Sequence, residues 1–422
     1  MPKYHVWTIG CQMNKAESER LAARFEELGY QTTEHDAEAD IIVLNSCVVR
    51  QSAEDRVTNK LHIIKRLKKE RPDSLVALTG CLVNSDTEKL RKGYPYIDQF
   101  FRPGDDPPWL DKPGTTPLPR YPSPAQFVTI SQGCDNFCSY CIVPYRRGRE
   151  RSRPLAEIAC EVRELVRRGA REVTLLGQNV DSYGRDLPGQ TDLADLLREL
   201  NLIDGLLRLR FLTNHPKDMS PRLVEAIAAL DRVCEQVSLP VQAGSDEILQ
   251  KMKRGYTIAQ YHRLVGEIRD KITGVALSTD VIVGFPTETE RQFAETLDLL
   301  STIKFDTVHV AVYSPRAGTA AAREFADDVT EAVKKERLGR GERLQERIQT
   351  EINARLLGRT VEILVEGRKK GKWWGRTRTD KLVFFSSDKD HHGQLVIVKI
   401  DKTSPWSLQG KVELNDINQE GK

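Results

Sequence analysis

The chain has 422 residues, 30% of them charged, with a net charge of +3. That length exceeds one ordinary domain, and so even a balance excludes a polybasic tail protein; any contact with nucleic acid has to come from a local patch. The opening run MPKYHVWTIGCQMN lacks the basic region and apolar core of a secretion signal, and no apolar stretch approaches a membrane span. The eight cysteines therefore read as metal or catalytic thiols of a cytoplasmic protein, not as a disulfide framework.

The first segment alternates strand and helix patterns. HVWTIG, IIVLNS and LVALTG are strand-like, and the stretches between them carry apolar residues at three- and four-residue steps. This βαβαβ order predicts an open parallel sheet over residues 1–117. Each strand is followed at once by a cysteine: Cys11, Cys47 and Cys81, 36 and 34 positions apart. In an open parallel sheet the strand carboxyl ends share one edge, where ligands bind. Topology alone thus predicts that three distant thiols converge on one metal site.

A Pro/Gly-rich stretch, 102–124, reads as a linker. Then comes FVTISQGCDNFCSYC, in which Cys134, Cys138 and Cys141 follow an apolar strand. Zinc sites and Fe–S clusters ordinarily take four protein ligands. A C-x₃-C-x₂-C loop without a fourth partner predicts a cubane with one iron open. Six strand candidates (FVTIS, EVTLLGQN, RLRFLTN, CEQVSLPV, VALSTDVIVGF and TVHVAVYS) alternate with helical patterns and predict an incomplete (β/α)6 barrel over 118–356, ending in a charged helix at 331–357.

Barrel active sites gather at strand carboxyl ends. That rule selects Gln178 and Asn179 after the second strand, Asn214 and His215 after the third, Gln242 after the fourth, and Ser278 and Asp280 on the fifth. VIVGFPTETE reads as a Gly-Pro turn into a helix N-terminus. Five arginines (Arg146, Arg147, Arg149, Arg151 and Arg153) crowd the run after the cysteine loop, suited to a carboxylate or to phosphates. Cys160 and Cys234 read as core, and His391 and His392 as turn residues without a metal.

The tail, 357–420, changes to strand alternation broken by turns: VEILVEG, GRTRT, LVFFSS and QLVIVKI. A small antiparallel β-barrel follows. Its run GRKKGKWWGRTRTDK supplies cations for phosphates and, in Trp373 or Trp374, a ring for base stacking, with one of the two packing the core.

The Cys134/Cys138/Cys141 loop resembles that of the radical S-adenosylmethionine (SAM) superfamily, in which SAM chelates the open iron; Tyr140 stands at that family's adenine-contacting position. The three-cysteine first segment, the barrel and the β tail together resemble the methylthiotransferases along essentially the whole chain. The resemblance implies two [4Fe–4S] clusters, SAM, and a TRAM domain as the tail. It implies that one SAM methylates sulfur carried at the Cys11/Cys47/Cys81 cluster. A second SAM is cleaved to a radical that takes hydrogen from an unreactive carbon, which the methylthio group then occupies; such a C–H bond offers no acidic handle.

GCQMNKAESE, CDNFCSYCIVPYRRGRERSRP, LLGQNVDSYG and GRTRTDKLVFF match the branch acting on N6-isopentenyladenosine beside the tRNA anticodon. The alternatives are the threonylcarbamoyl-adenosine branch and, further off, the branch acting on a ribosomal-protein aspartate. Asn214, Ala243 and Thr287 depart from the usual pattern. The resemblance further implies a tRNA anticodon stem-loop as partner, an electron donor such as a flavodoxin or ferredoxin, and a monomer away from membranes.

Overall fold

The structure, a computed structural model, describes residues 1–48, 51–83, 87–105, 107, 109–110 and 117–413. Parts of the expected linker (106, 108 and 111–116) and the last residues of the expected tail (414–420) lie outside them.

The first unit is a parallel sheet of β1 (Lys3–Thr8), β2 (Gln31–Thr32), β3 (Ile41–Ser46), β4 (Leu75–Gly80) and β5 (Gln99–Phe100) in the order β2-β1-β3-β4-β5. β3 is buried along its whole length, as a central parallel strand covered on both faces must be. The edge strands β2 and β5 have two residues each. They are too short to leave a periodicity, so the sequence shows only the three central strands. Helices Gln12–Glu27, Gln51–Glu70 and Thr87–Gly93 pack around this sheet.

Six parallel strands make the second unit: β6 (Ala125–Thr129), then, past the short hairpin of β7 (Ser131–Gln132) and β8 (Arg151–Ser152), β9 (Glu172–Leu176), β10 (Arg208–Phe211), β11 (Gln236–Ser238), β12 (Ala276–Val283) and β13 (Thr307–Val312). They form two ladders, β6-β9-β10 and β11-β12-β13, joined by a bridge between Leu209 and Val233. The wall stays open between β6 and β13, giving an incomplete barrel. Several of its helices start on side-chain caps, with reciprocal capping boxes at Asp192/Asp195, Thr257/Gln260 and Thr289/Gln292, each cap worth about 1 kcal/mol. Cys160 is a correction: Ile158, Ala159, Val162, Leu165 and Val166 form the buried stripe of its helix, and Cys160, off that stripe, is exposed. Cys234 is buried, as expected.

The tail closes into a barrel in the order β14-β15-β16-β18-β17, from β14 (Thr360–Lys369), β15 (Lys372–Thr377), β16 (Leu382–Phe385), β17 (Leu395–Thr403) and β18 (Leu408–Val412). The β16–β18 pairing is parallel and the others antiparallel. Trp373 enters its core, donating Nε1–H to the Ser387 carbonyl at 3.2 Å, while Trp374 stays half-buried. His391 packs edge-on against Trp373 and Phe385.

This small barrel docks under the large one. Arg208 and Arg210 share one face of β10, opposite core residues Leu209 and Phe211. Arg208 reaches the Arg376 carbonyl at 2.6 Å and Glu362 Oε1 at 3.0 Å. Arg210 holds Glu172 at 2.9 Å and donates to the Thr377 and Arg378 carbonyls at 2.6 and 2.7 Å. Arg378 grips Glu235 at 2.7 Å and Lys381 grips Asp306 at 2.9 Å. Glu172, Arg208, Glu235 and Asp306 all lie at strand beginnings, so the tail seals the amino-terminal end. Arg378 and Lys381 are thereby structural cations, and Arg376, which offers the dock its carbonyl, pairs its own guanidinium with Asp380 at 2.9 Å. Of the basic run expected to meet RNA, Arg368, Lys369, Lys370 and Lys372 stand outside this dock. Arg378→Ala, removing a half-exposed ion pair, is expected to cost about 1 kcal/mol. A double-mutant cycle with Glu235→Ala in urea denaturation measures that coupling.

Candidate active site

Sheet order makes the first cluster of thiols. β1, β3 and β4 are adjacent and parallel, so Cys11, Cys47 and Cys81 leave three neighbouring strand ends on one edge. Asn14 ties that edge together, donating Nδ2–H to the carbonyls of Ile9 at 3.0 Å and Ser46 at 2.9 Å. Gly10 must be glycine here: at φ +132° a Cβ would sit 2.9 Å from that of Cys47. Burial pushes the Cys81 thiol up to about 11, Arg147 draws it down, and the charges of Cys47 and Cys11 raise it again.

The second trio stands in the loop beyond β6. Gly133 turns it at φ +81° with no room for a side chain beside the Arg149 carbonyl. Ser139 then pins it, donating N–H to the Met252 carbonyl at 3.0 Å and Oγ–H to the Lys251 carbonyl at 2.7 Å. Burial raises Cys134 to about 11 and Cys141 to about 12, with the neighbouring Cys138 adding to both. Buried thiols in mutual repulsion ionise together only around cations. An all-thiol donor set is the kind that suits an Fe–S cluster.

The five arginines that look alike in sequence have separate partners. Arg147 reaches across to the first unit, bonding Glu17 at 2.8 Å and Asn14 Oδ1 at 3.1 Å, with its side chain 3% exposed and that of Glu17 6%. It lies against Cys81 and Cys11. Arg316 adds a second tie across that seam, to Glu54 at 2.7 Å. Arg149 makes a bidentate, exposed pair with Asp135 at 2.7 and 3.0 Å. Arg153 binds the Thr129 carbonyl, Glu157 and Glu161. Arg146 is half-buried and Arg151 exposed.

Of the strand-end residues, Gln178, Asn179, Asn214 and His215 come together at the ends of β9 and β10. Asn179 donates to Asp218 at 2.8 Å; Asn214 Nδ2 and the His215 N–H both reach Asp181, the latter at 2.9 Å. Gln178 Oε1, Asn179 Oδ1, Asn214 Oδ1 and His215 Nε2 are buried atoms without a protein partner. His215 Nδ1 accepts from the Lys217 N–H at 3.2 Å, so the neutral ring carries its proton on Nε2. Beside them a cleft of about 140 Å³ is lined by Asn136, Glu150, Asn179, Ser182 and Arg185 among others. Gln242, at φ +73°, spends its backbone on Asp280 and Ile282. Asp280 lies level with it on the half-buried face of β12, whereas Ser278, in register with Ser238, sits lower in the barrel. Tyr140 leans on the apolar cluster of Met252 and Phe285. The Gly-Pro turn leads into the helix at Glu290, whose N-terminus Thr289 and Gln292 already close.

Sequence reading missed Asp181, Asp218 and Arg254. Asp181 had a faint signal, an acid two places beyond Gln178-Asn179. Burial lifts Asp181 to about 7, against the hydrogen bonds from His215 and Asn214. A carboxyl whose folded pKa is raised binds its proton more tightly folded than unfolded. Its contribution to stability is present below about pH 4 and is lost as the pH rises to 7, a swing of roughly 4 kcal/mol. Asp181→Asn is expected to flatten the pH dependence of the urea midpoint between pH 4 and 7.

Residues 3–102 match the uncharacterized protein family UPF0004, 128–300 the radical SAM superfamily and 354–412 the TRAM domain. The tRNA-2-methylthio-N6-dimethylallyladenosine synthase of Dehalococcoides mccartyi is 55% identical over 98% of this chain and 99% of its own length. The synthase of the same name from Chloroflexus aurantiacus is 50% identical over 100% and 94%. Among solved structures, the radical SAM methyltransferase TsrM of Kitasatospora setae superposes with a TM-score of 0.58 at 16% identity, over 77% of this chain and 78% of that one; this likeness concerns the fold alone. No helix among the described residues is long and apolar enough to cross a membrane. Full-length identity above one half, together with the radical SAM and TRAM matches, places the chain in the family of tRNA-2-methylthio-N6-dimethylallyladenosine synthases, as a tRNA methylthiotransferase that uses a [4Fe–4S] cluster and SAM.

Proposed function

We propose that the enzyme converts N6-isopentenyladenosine beside the tRNA anticodon to its 2-methylthio derivative, using two [4Fe–4S] clusters. The observation that carries this reading is the pairing of two three-cysteine sites, each one ligand short of closure, across a seam spanned by Arg147. Cys134, Cys138 and Cys141 would hold one cluster, which would supply the electron for cleavage of SAM; Cys11, Cys47 and Cys81 would hold the other, which would supply sulfur. When bound, these groups supply the radical and the sulfur; the chain supplies geometry and exclusion of water. Gln178, Asn179 and His215, with their unpartnered buried atoms, orient SAM or the target base. Tyr140 flanks the adenine of SAM, with Asp280 on the facing strand and Ser278 below it.

The working units are 1–117, 118–356 and 357–420. The tail seals the amino-terminal end of the barrel, so the stem-loop runs along the outside from Arg368, Lys369, Lys370 and Lys372 to the cysteine end, where a loop base can be splayed out. The partners are a one-electron donor of the flavodoxin or ferredoxin kind and the tRNA, and the enzyme works as a cytoplasmic monomer. Mass spectrometry of tRNA nucleosides after anaerobic turnover tests the substrate. A 2-methylthio product from isopentenylated tRNA alone is expected; product only from threonylcarbamoylated tRNA would overturn the assignment.

A further inference from the structure

Alternation sorts each strand of the large barrel into two faces. Val128 with Ile130, Leu209 with Phe211, and Val281 with Val283 lie in the apolar core beneath the helices, and Val310 and Val312 pack against it. Phe127, Leu212, Ile282 and Ala311, on the alternate positions, therefore face the lumen. The lower lumen is polar and closed: Arg210 holds Glu172 at 2.9 Å and Gln236 at 2.8 Å above the tail. Towards the mouth the wall turns apolar. Phe127 stands level with Thr174 and Arg210, and Leu212 extends β10 by one residue, its N–H on the Leu175 carbonyl at 3.2 Å. Both are half-buried and, among the described residues, belong to no apolar core of the protein. Ile282 and Ala311, in register with each other and also half-buried, continue the face on β12 and β13. Thr129, on the face of Phe127, donates to Met13 Sδ at 3.8 Å. Met13 lies two places after Cys11, so the loop of the first trio overhangs the β6 end of this wall.

We infer that Phe127 and Leu212 are the specificity-determining residues that receive the N6-isopentenyl chain of the target adenosine, with Ile282 and Ala311 on the neighbouring wall. The inference rests on the proposed substrate and names the residues that read it. The isopentenyl chain is a branched hydrocarbon, so burying it against these side chains removes apolar surface from water and breaks no hydrogen bond. A threonylcarbamoyl group ends in a carboxylate, which needs a cation when buried. Among the described residues this face offers it none: Arg208 and Arg210 are spent on Glu362 and Glu172, and His309 stands level with Asp280. With the chain seated beside Phe127, the adenine ring stays at the β6 mouth, beneath the loop of Cys11.

The test compares anticodon stem-loops that differ only at the target adenosine: isopentenylated, threonylcarbamoylated or unmodified. Fluorescence anisotropy reads their binding to the full, cluster-loaded chain. The parent is expected to bind the isopentenylated loop about tenfold or more tighter than the unmodified one. Phe127→Ala/Leu212→Ala is expected to cut that ratio to about threefold or less, with affinity for the unmodified loop unchanged. A merely structural role would weaken all three loops alike. An unchanged ratio in the double variant would overturn the inference and leave the substrate reading standing. A parent that prefers only the threonylcarbamoylated loop would overturn both, and a parent with no preference would overturn the inference. Should the double variant fail to fold, the parent still decides. A stem-loop whose N6 chain carries a diazirine is expected to crosslink to peptides containing Phe127 or Leu212, located by mass spectrometry. Crosslinks confined to the first unit or the tail would overturn the inference equally.

Discussion

Replacing Cys11, Cys47 and Cys81 together by alanine is expected to abolish methylthio-nucleoside formation while leaving cleavage of SAM to 5′-deoxyadenosine within about threefold of the parent. The two trios belong to different elements: one leaves three strands of the first sheet, the other occupies a loop pinned to Met252 and Lys251 of the barrel. Among the described residues nothing in the second trio's hydrogen bonding passes through the first sheet, so a cluster held there is expected to survive without the other. The mirror variant, Cys134, Cys138 and Cys141 to alanine, is expected to lose both products. Chromatography of 5′-deoxyadenosine beside nucleoside mass spectrometry reads the split. Loss of both products from the first variant would mean that the two sites are one.

Arg147→Met is expected to cost about 3–5 kcal/mol, the usual penalty for leaving one partner of a buried ion pair alone. Glu17 loses the one cation it pairs with among the described residues, and Asn14 loses the Arg147 donor on Oδ1, keeping Cys11 Sγ there at 3.6 Å and its own bonds to the Ile9 and Ser46 carbonyls. The damage falls on the seam, so 5′-deoxyadenosine is expected to outlast the methylthio product as temperature or urea rises. Urea denaturation of the parent, Arg147→Met and the double variant Arg147→Met/Glu17→Gln measures it. The double variant is expected to recover part of the loss, because an amide is far cheaper to bury unpaired than a carboxylate.

The sites were legible to different depths. The placement of both trios could be read from the chain, one from local spacing and the other from where apolar strands end, because a parallel sheet aligns those ends whatever the loops between them do. Arginine roles could not be read. Arg146, Arg147, Arg149, Arg151 and Arg153 differ only in partners that fold back from elsewhere, such as Glu17, some 130 residues away. The same holds for the tail, where Arg378 and Lys381 are committed to Glu235 and Asp306, ion pairs with no local signature. The strand expected over GRTRT stops at Thr377, because the residues after it turn down onto the barrel. β18, with alternate residues only partly buried, was missed for lack of contrast.

Iron and acid-labile sulfide analysis with Mössbauer spectroscopy, on the anaerobically reconstituted chain and on each triple-alanine variant, tests the central claim most directly: two separate three-cysteine sites each hold a cubane. About eight irons per chain are expected for the parent and about four for either variant, all in [4Fe–4S] form. About four irons in the parent, all lost with Cys134, Cys138 and Cys141 and untouched by loss of Cys11, Cys47 and Cys81, would contradict it.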